Sequence, residues 1–225
     1  MRVRRLLAAV VTAGLVAPAA AIVSTTAPAS AAVATSIAPV STDRPLIYAT
    51  RKVATYGDNL YSNIDVVAAD GSSPYGGVTT VQQQLAGQST WTTVSTTNGA
   101  YASLSNVKAR ANATYRISWS GSGNWSPTPP VNVSVKVTRD VDMRGISGKA
   151  GFTGKVKPKG KVKIRVEKKV GKKWKKFRTF KTKKNGKFWM ILQAPRRGGK
   201  LTWRFTFVGN KSFTKTVYKG WTRRY

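Results

Sequence analysis

Three short runs alternate apolar and polar residues with a period of two, and that period restricts this chain to extended structure. In KVKIRVE, Val162, Ile164 and Val166 fall in one phase and Lys161, Lys163 and Arg165 in the other. WRFTF sets Trp203, Phe205 and Phe207 against Arg204 and Thr206, and YRISW aligns Tyr115, Ile117 and Trp119. Successive side chains of a strand point to opposite faces, so each run gives a strand with one dry and one wet side. Gly, Asn and Pro turn signals recur at intervals of about ten residues, the spacing of a β-sandwich. No window of useful length shows the helical period. The fold class expected is all-β.

The pattern also occurs twice. LAGQSTW is echoed by VGKKW, which matches Trp91 with Trp174. NGAY at Asn98 is echoed by NGKF at Asn185, each an Asn-Gly turn signal followed by an aromatic. YRISWSGSGNWS is echoed by WRFTFVGNKSFT, pairing Arg116 with Arg204, Gly121 with Gly209 and Trp125 with Phe213. Repetition in constant order indicates two diverged copies of one module, over residues 46–140 and 143–225, with a boundary near TRDVDMRG. Residues 32–45, rich in Ala, Thr, Ser and Pro, read as a flexible linker.

The basic strand, Asn-Gly-x-aromatic turn and aromatic-Arg-x-x-aromatic series resembles the immunoglobulin-like repeats of secreted actinobacterial proteins, from about Thr50 to Lys219. The resemblance implies two tandem immunoglobulin-like β-sandwiches and supplies no shared catalytic residues. The second copy departs from it in being more cationic.

Residues 1–31 read as a secretory signal peptide: MRVRR is cationic, the following stretch apolar, and ASA before Ala32 a small-residue cleavage pattern. An uncleaved anchor is the alternative, since Leu6–Val23 just reaches spanning length. Pro18 and the cleavage pattern favour removal, so the chain is expected outside the cell with no membrane span after cleavage. The absence of Cys excludes disulfides and thiol chemistry there. The absence of His removes the commonest general base and metal ligand.

Charge is divided unequally between the copies. Residues 37–142 hold eight Lys and Arg against six Asp, whereas residues 143–225 hold 28 against a single acidic residue, Glu167. A disordered polycation would have few large apolar residues and no phase between them. Here Val162, Ile164, Val166, Trp174, Phe188, Met190 and Leu192 form an apolar stripe, so the expectation is a sheet with a cationic face. Burying each large side chain contributes on the order of 1.5–3 kcal/mol, while repulsion between solvated Lys ends is screened over roughly 8 Å at physiological salt.

Lys161, Lys163, Arg165, Lys172, Lys173, Lys175, Lys176, Lys183, Lys184, Lys187, Arg196 and Arg197 are the candidate polyanion-binding residues. Their spread of point-like ammonium groups suits diffuse attachment to an anionic cell-envelope polymer or another polyanion, nucleic acid included. Trp189 is the candidate exposed aromatic contact, because Phe188, Met190 and Leu192 claim the inward phase; it serves a ligand or docks on the first module. Another protein is the alternative partner, and a neutral carbohydrate a third. No catalytic residue and no cofactor are expected. Asp58 and Asp70 sit in turn contexts. Asp140 and Asp142 share one side of an extended segment, but Ca²⁺ takes six to eight oxygens and only two are evident. Ion pairs with flanking Arg139 and Arg144 are the other reading of that pair.

Overall fold

The computed structural model describes residues 31–224. The expected signal peptide lies outside the described residues, apart from Ala31. From Ala32 onward the chain forms one compact unit, all-β, built as two immunoglobulin-like sandwiches in tandem. No helix among the described residues is long and apolar enough to cross a membrane.

The first module contains β1 (Thr35–Ala38), β2 (Ile47–Tyr48), β3 (Ala54–Thr55), β4 (Tyr61–Ser62) and β5 (Asp65–Ala68). It continues with β6 (Val78–Leu85), β7 (Thr92–Asn98), β8 (Ala113–Trp119), β9 (Val131–Val135) and β10 (Val137–Thr138). One layer is the antiparallel sheet β7-β6-β8-β9, and three two-stranded pairs, β1-β5, β2-β4 and β10-β3, make up the rest. The second module comprises β11 (Asp140–Ile146), β12 (Lys149–Lys157), β13 (Lys163–Val170), β14 (Lys173–Lys181), β15 (Lys187–Ile191), β16 (Lys200–Phe207) and β17 (Thr216–Arg223). Its sheets run β11-β12-β15 and β14-β13-β16-β17, the two-layer arrangement of an immunoglobulin-like sandwich.

The period-two reading places the core except at Trp174, which the ladder sets opposite Lys169 on the outer side of β14, half-buried and outside the core cluster. Tyr115, Ile117 and Trp119 on β8 are buried, as are Trp203, Phe205 and Phe207 on β16. Each module has its own apolar cluster, one around Leu60, Val81, Tyr115 and Ile117, the other around Ile164, Val166, Met190 and Phe205. The repeat extends to an irregularity. The β6–β7 ladder skips Val94 between the pairs Val81↔Ser95 and Gln82↔Thr93. The β13–β14 ladder skips Phe177 between Val166↔Arg178 and Glu167↔Lys176. In both bulges the extra residue is apolar and packs against its module's core.

Two boundaries differ from expectation. Residues 32–45 are not simply a spacer: β1 pairs with β5 along Thr35↔Ala68 to Ala38↔Asp65, and Thr35 Oγ1 donates to the Ser126 carbonyl at 2.6 Å. A Thr- and Ser-rich stretch serves as an edge strand when a partner is supplied from elsewhere, so composition alone misread it. Asp140 and Asp142 lie within β11 rather than in a junction, because Val141 between them points into the second core. One residue, Arg139, separates the modules' strands.

That junction is packed. Phe213, from the β16–β17 loop of the second module, is buried in the first module's core cluster. Its ring meets Tyr56 edge-on at 6.1 Å and lies 4.2 Å below the guanidinium of buried Arg139. Backbone bonds support it: Thr214 N donates to Val137 O at 2.8 Å and Asn112 N to Ser212 O at 2.7 Å. The matched residue Trp125 instead packs against Tyr75 of its own module. Gly121 and Gly209 have the same role in the two loops, since a Cβ would come within 2.8 Å of the Trp125 carbonyl and 2.6 Å of the Phe213 carbonyl.

Candidate polyanion-binding surface

The outward face of β14-β13-β16-β17 is assembled by register. Lys163 on β13 lies opposite Lys181, Arg165 opposite Thr179 and Thr206, and Glu167 opposite Lys176 and Arg204. Arg204 in turn faces Lys219 on β17. Ile164, Val166, Phe205 and Trp203 occupy the alternate positions and are buried, which forces these charged residues outward together. Directly opposed side chains in such a sheet lie about 4.5–5.5 Å apart at Cβ, so like charges are held closer than free lysines would choose.

One acidic side chain tempers this face. Arg204 donates from Nε to Glu167 Oε2 and from Nη2 to Oε1, both at 2.7 Å, a forked pair. The guanidinium lies 4.8 Å over the Trp174 ring. The bond from Arg204 holds the Glu167 carboxyl below the usual glutamate range, with the Arg165 charge acting the same way. Glu167 thus stays ionised and engaged, and the second module has no other acidic side chain beyond β11.

The other expected residues do not all share this face. Lys161 precedes β13 in the same phase as Lys163 and is exposed. Lys172 lies in the β13–β14 turn and Lys173 at the start of β14; Lys175 pairs with Lys168, which in turn lies opposite β16's inward Trp203, so both fall in the opposite phase. Lys183 and Lys184 occupy the crossover between sheets, and Lys187 lies opposite Lys155 on the other layer. Arg196 and Arg197 are exposed in the loop before β16. Lys163, Arg165 and Lys176 form a plate; the remainder surrounds the module. The single-face expectation is corrected on that point, because strands β13 and β15 belong to different layers.

Sequence reasoning left Lys169, Arg204 and Lys219 out of the site. The alternation in WRFTF already put Arg204 outward, but only the pairing of β16 with β13 and β17 brings it and Lys219 beside Arg165. Trp189 on β15 is 59% exposed, with Ile191 at 39%, so the first module does not cover it. Trp221 on β17, 50% exposed beneath the Arg223 guanidinium at 5.5 Å, is a second outward tryptophan that the alternation did not single out.

The carboxylates are engaged locally. Asp58 Oδ2 accepts from Thr55 N at 2.8 Å, and Asp70 Oδ1 accepts from Ser72 N and Oγ at 2.9 and 2.6 Å. Asp140 pairs with Lys157 at 3.2 Å, and Asp142 faces Lys155 across the ladder. The neighbours of both are therefore lysines of β12 rather than Arg139 and Arg144. No cluster of three or more potential metal-ligating acidic, His or Cys residues occurs among the described residues.

No protein-family model and no curated protein matches the chain. Among solved structures, it is similar to the chicken interferon gamma receptor alpha chain, at 10% identity over 80% of this chain and 98% of that one, with a TM-score of 0.39. A likeness of that degree carries no functional argument.

Proposed function

We propose that this is an exported, non-catalytic protein of the kind found as immunoglobulin-like repeats in secreted actinobacterial proteins, whose second module attaches it to an anionic polymer outside the cell. The observation that carries this reading is the outward face of β14-β13-β16-β17. There Lys163, Lys181, Arg165, Lys176, Arg204 and Lys219 surround one carboxylate already bound to Arg204. Solubility does not require 28 Lys and Arg on 83 residues. Ammonium groups on flexible stems suit a polymer of irregular geometry. Anionic wall polymers are the partner that export makes available, and extracellular nucleic acid meets the same physics.

Residues 32–225 should be titrated intact, since Phe213 belongs to the first module's core. On purified cell wall, retention should fall steeply with salt; for about six neutralised charges the slope of log affinity on log salt is near −5. Combining Lys163→Gln, Arg165→Gln and Lys176→Gln should flatten that slope by roughly two to three. Retention indifferent to salt would remove the proposal.

A second reading rests on Trp189 and Ile191, which stand exposed together on edge strand β15 and suit contact with another protein. Under that reading Trp189→Ala weakens binding more than the triple glutamine change does. The reverse ordering dismisses it.

A further inference from the structure

The first module is nearly neutral, yet four of the eight Lys and Arg in residues 37–142 line one groove. Arg44, Arg51, Lys52 and Lys136 border a space of about 990 Å³ beside β2 and β9. Others are committed elsewhere: Arg116 lies on Trp91 and Arg139 is buried at the junction. The one carboxylate on the lining, Asp43, is occupied by Ser41 and by Arg44 at 3.6 Å. The groove is therefore electropositive by placement, not by average composition.

It also has an aromatic wall. Tyr48 on β2 and Tyr61 on β4 face each other across the ladder, with ring centroids 5.5 Å apart and planes inclined by 31°. Arg44 Nη1 donates to Tyr48 Oη at 3.1 Å, and its guanidinium lies 5.2 Å from the centre of that ring. Tyr48 is thus partly covered, whereas Tyr61 is 40% exposed. A cleft of this size, with one accessible ring and several converging cations, has the composition of a small-ligand site.

We propose that this groove binds one acidic saccharide unit, its ring face against Tyr61 and its carboxylate or phosphate between Arg51, Lys52 and Lys136. A sugar ring presents a C–H face to the electron-rich face of tyrosine, and the cations select the negative substituent. A single-stranded nucleic acid would call for several exposed rings, one for each successive base; here one is accessible. The proposal goes beyond charge-driven attachment by the second module and does not depend on it, because it requires a ring as well as a charge.

The test is calorimetric titration of residues 32–225, at salt high enough to abolish retention on wall, with trigalacturonate, glucose 1-phosphate, maltotriose and a thymidine trinucleotide. Saturable binding of trigalacturonate or glucose 1-phosphate, with maltotriose weaker by about tenfold or more, is expected; the better of the two acids identifies carboxylate or phosphate as the preferred group. Tyr61→Ala should weaken the acidic probe by about tenfold while Tyr61→Phe preserves it. Arg51→Gln with Lys136→Gln, both exposed positions, should erase the preference over maltotriose. The triple change Lys163→Gln, Arg165→Gln and Lys176→Gln should leave these titrations unaltered, so a failure of wall attachment and a failure of the groove are separable. Absence of saturable binding to both acids, indifference to Tyr61→Ala in a folded protein, or equal or tighter binding of the trinucleotide would overturn the proposal.

Discussion

Gln82 and Glu167 stand at the same place in the two modules, each beneath an arginine that lies on a tryptophan. Arg116 donates from Nε and Nη2 to the single oxygen Gln82 Oε1, at 3.0 and 2.7 Å, with its guanidinium 4.5 Å from the Trp91 ring. Arg204 spreads the same two donors over both carboxylate oxygens of Glu167, above Trp174. The rows around them match in register, Gln82↔Arg116↔Asn132 in one module and Glu167↔Arg204↔Lys219 in the other. Around Arg116 the outward positions are Thr80, Ser118, Thr114 and Ser134, all uncharged. Around Arg204 the matching positions are Arg165, Thr206, Thr202 and Trp221, and in the same row Lys176 and Lys219 stand where the first module has Thr93 and Asn132. One scaffold thus presents a neutral face and a cationic face. The inward phase specifies the sandwich, and the outward phase is left free for charge, because solvated side chains contribute little to which strands pair.

The comparison breaks most severely at the loops that match Trp125 with Phe213. Phe213→Ala removes a buried ring from the first module's core and from beneath Arg139, whose Nε has no hydrogen-bond partner and whose burial lowers its pKa. A loss of about 3–5 kcal/mol is expected, with calorimetry showing the first module unfolding earlier although the change lies in the second. Trp125→Ala, at a half-buried site in its own module, should cost less. Equal losses would refute the asymmetry of the two loops.

An alkaline titration sharpens the contrast at a smaller scale. Tyr115 is matched by Trp203, and burial pushes its phenol up to about 12 despite the Gln83 hydrogen bond. Its stabilising effect is full below the unfolded value of about 10 and is lost as pH rises through about 12. Trp203 has no such titration, although burial also raises the less buried Tyr218 nearby. Denaturant midpoints measured across that range should fall, and Tyr115→Phe should remove part of the fall. An unchanged profile would mean that Tyr115 is not the group responsible.

The smallest effect comes from exchanging the residues beneath the arginines. Because Arg204 depresses the Glu167 pKa, that carboxylate stabilises the native state above the ordinary glutamate range and ceases to do so as pH falls through its lowered value. Glu167→Gln should therefore lower the second module's stability slightly at neutral pH and not at all in strong acid. Gln82→Glu should introduce the same acid dependence into the first module. Thermal midpoints compared at both pH values check the pair of exchanges.

Much of the fold was legible in the residues themselves. The alternation around Ile117, Ile164 and Phe205 identified the buried phase, and the echo of YRISWSGSGNWS in WRFTFVGNKSFT matched Arg116 with Arg204, a correspondence that the stacked arginines reproduce. The site was legible only in pieces. Lys163 and Arg165 could be placed on one strand face, but Lys175 falls in the opposite phase once Phe177 is bulged, and Lys187 belongs to the other layer. The groove beside Tyr61 gave no local signal at all, since Arg44, Arg51 and Lys136 converge from separated segments.

The sequence alone determined which side of each strand is dry, how many modules there are and how unequally they are charged. Those properties follow from a two-residue backbone period and from counting, and both are local. Tertiary structure decided which strands lie side by side, where the ladders slip, and that Phe213 of one module completes the core of the other. Those outcomes depend on burial shared between residues far apart in the chain, which no single segment encodes.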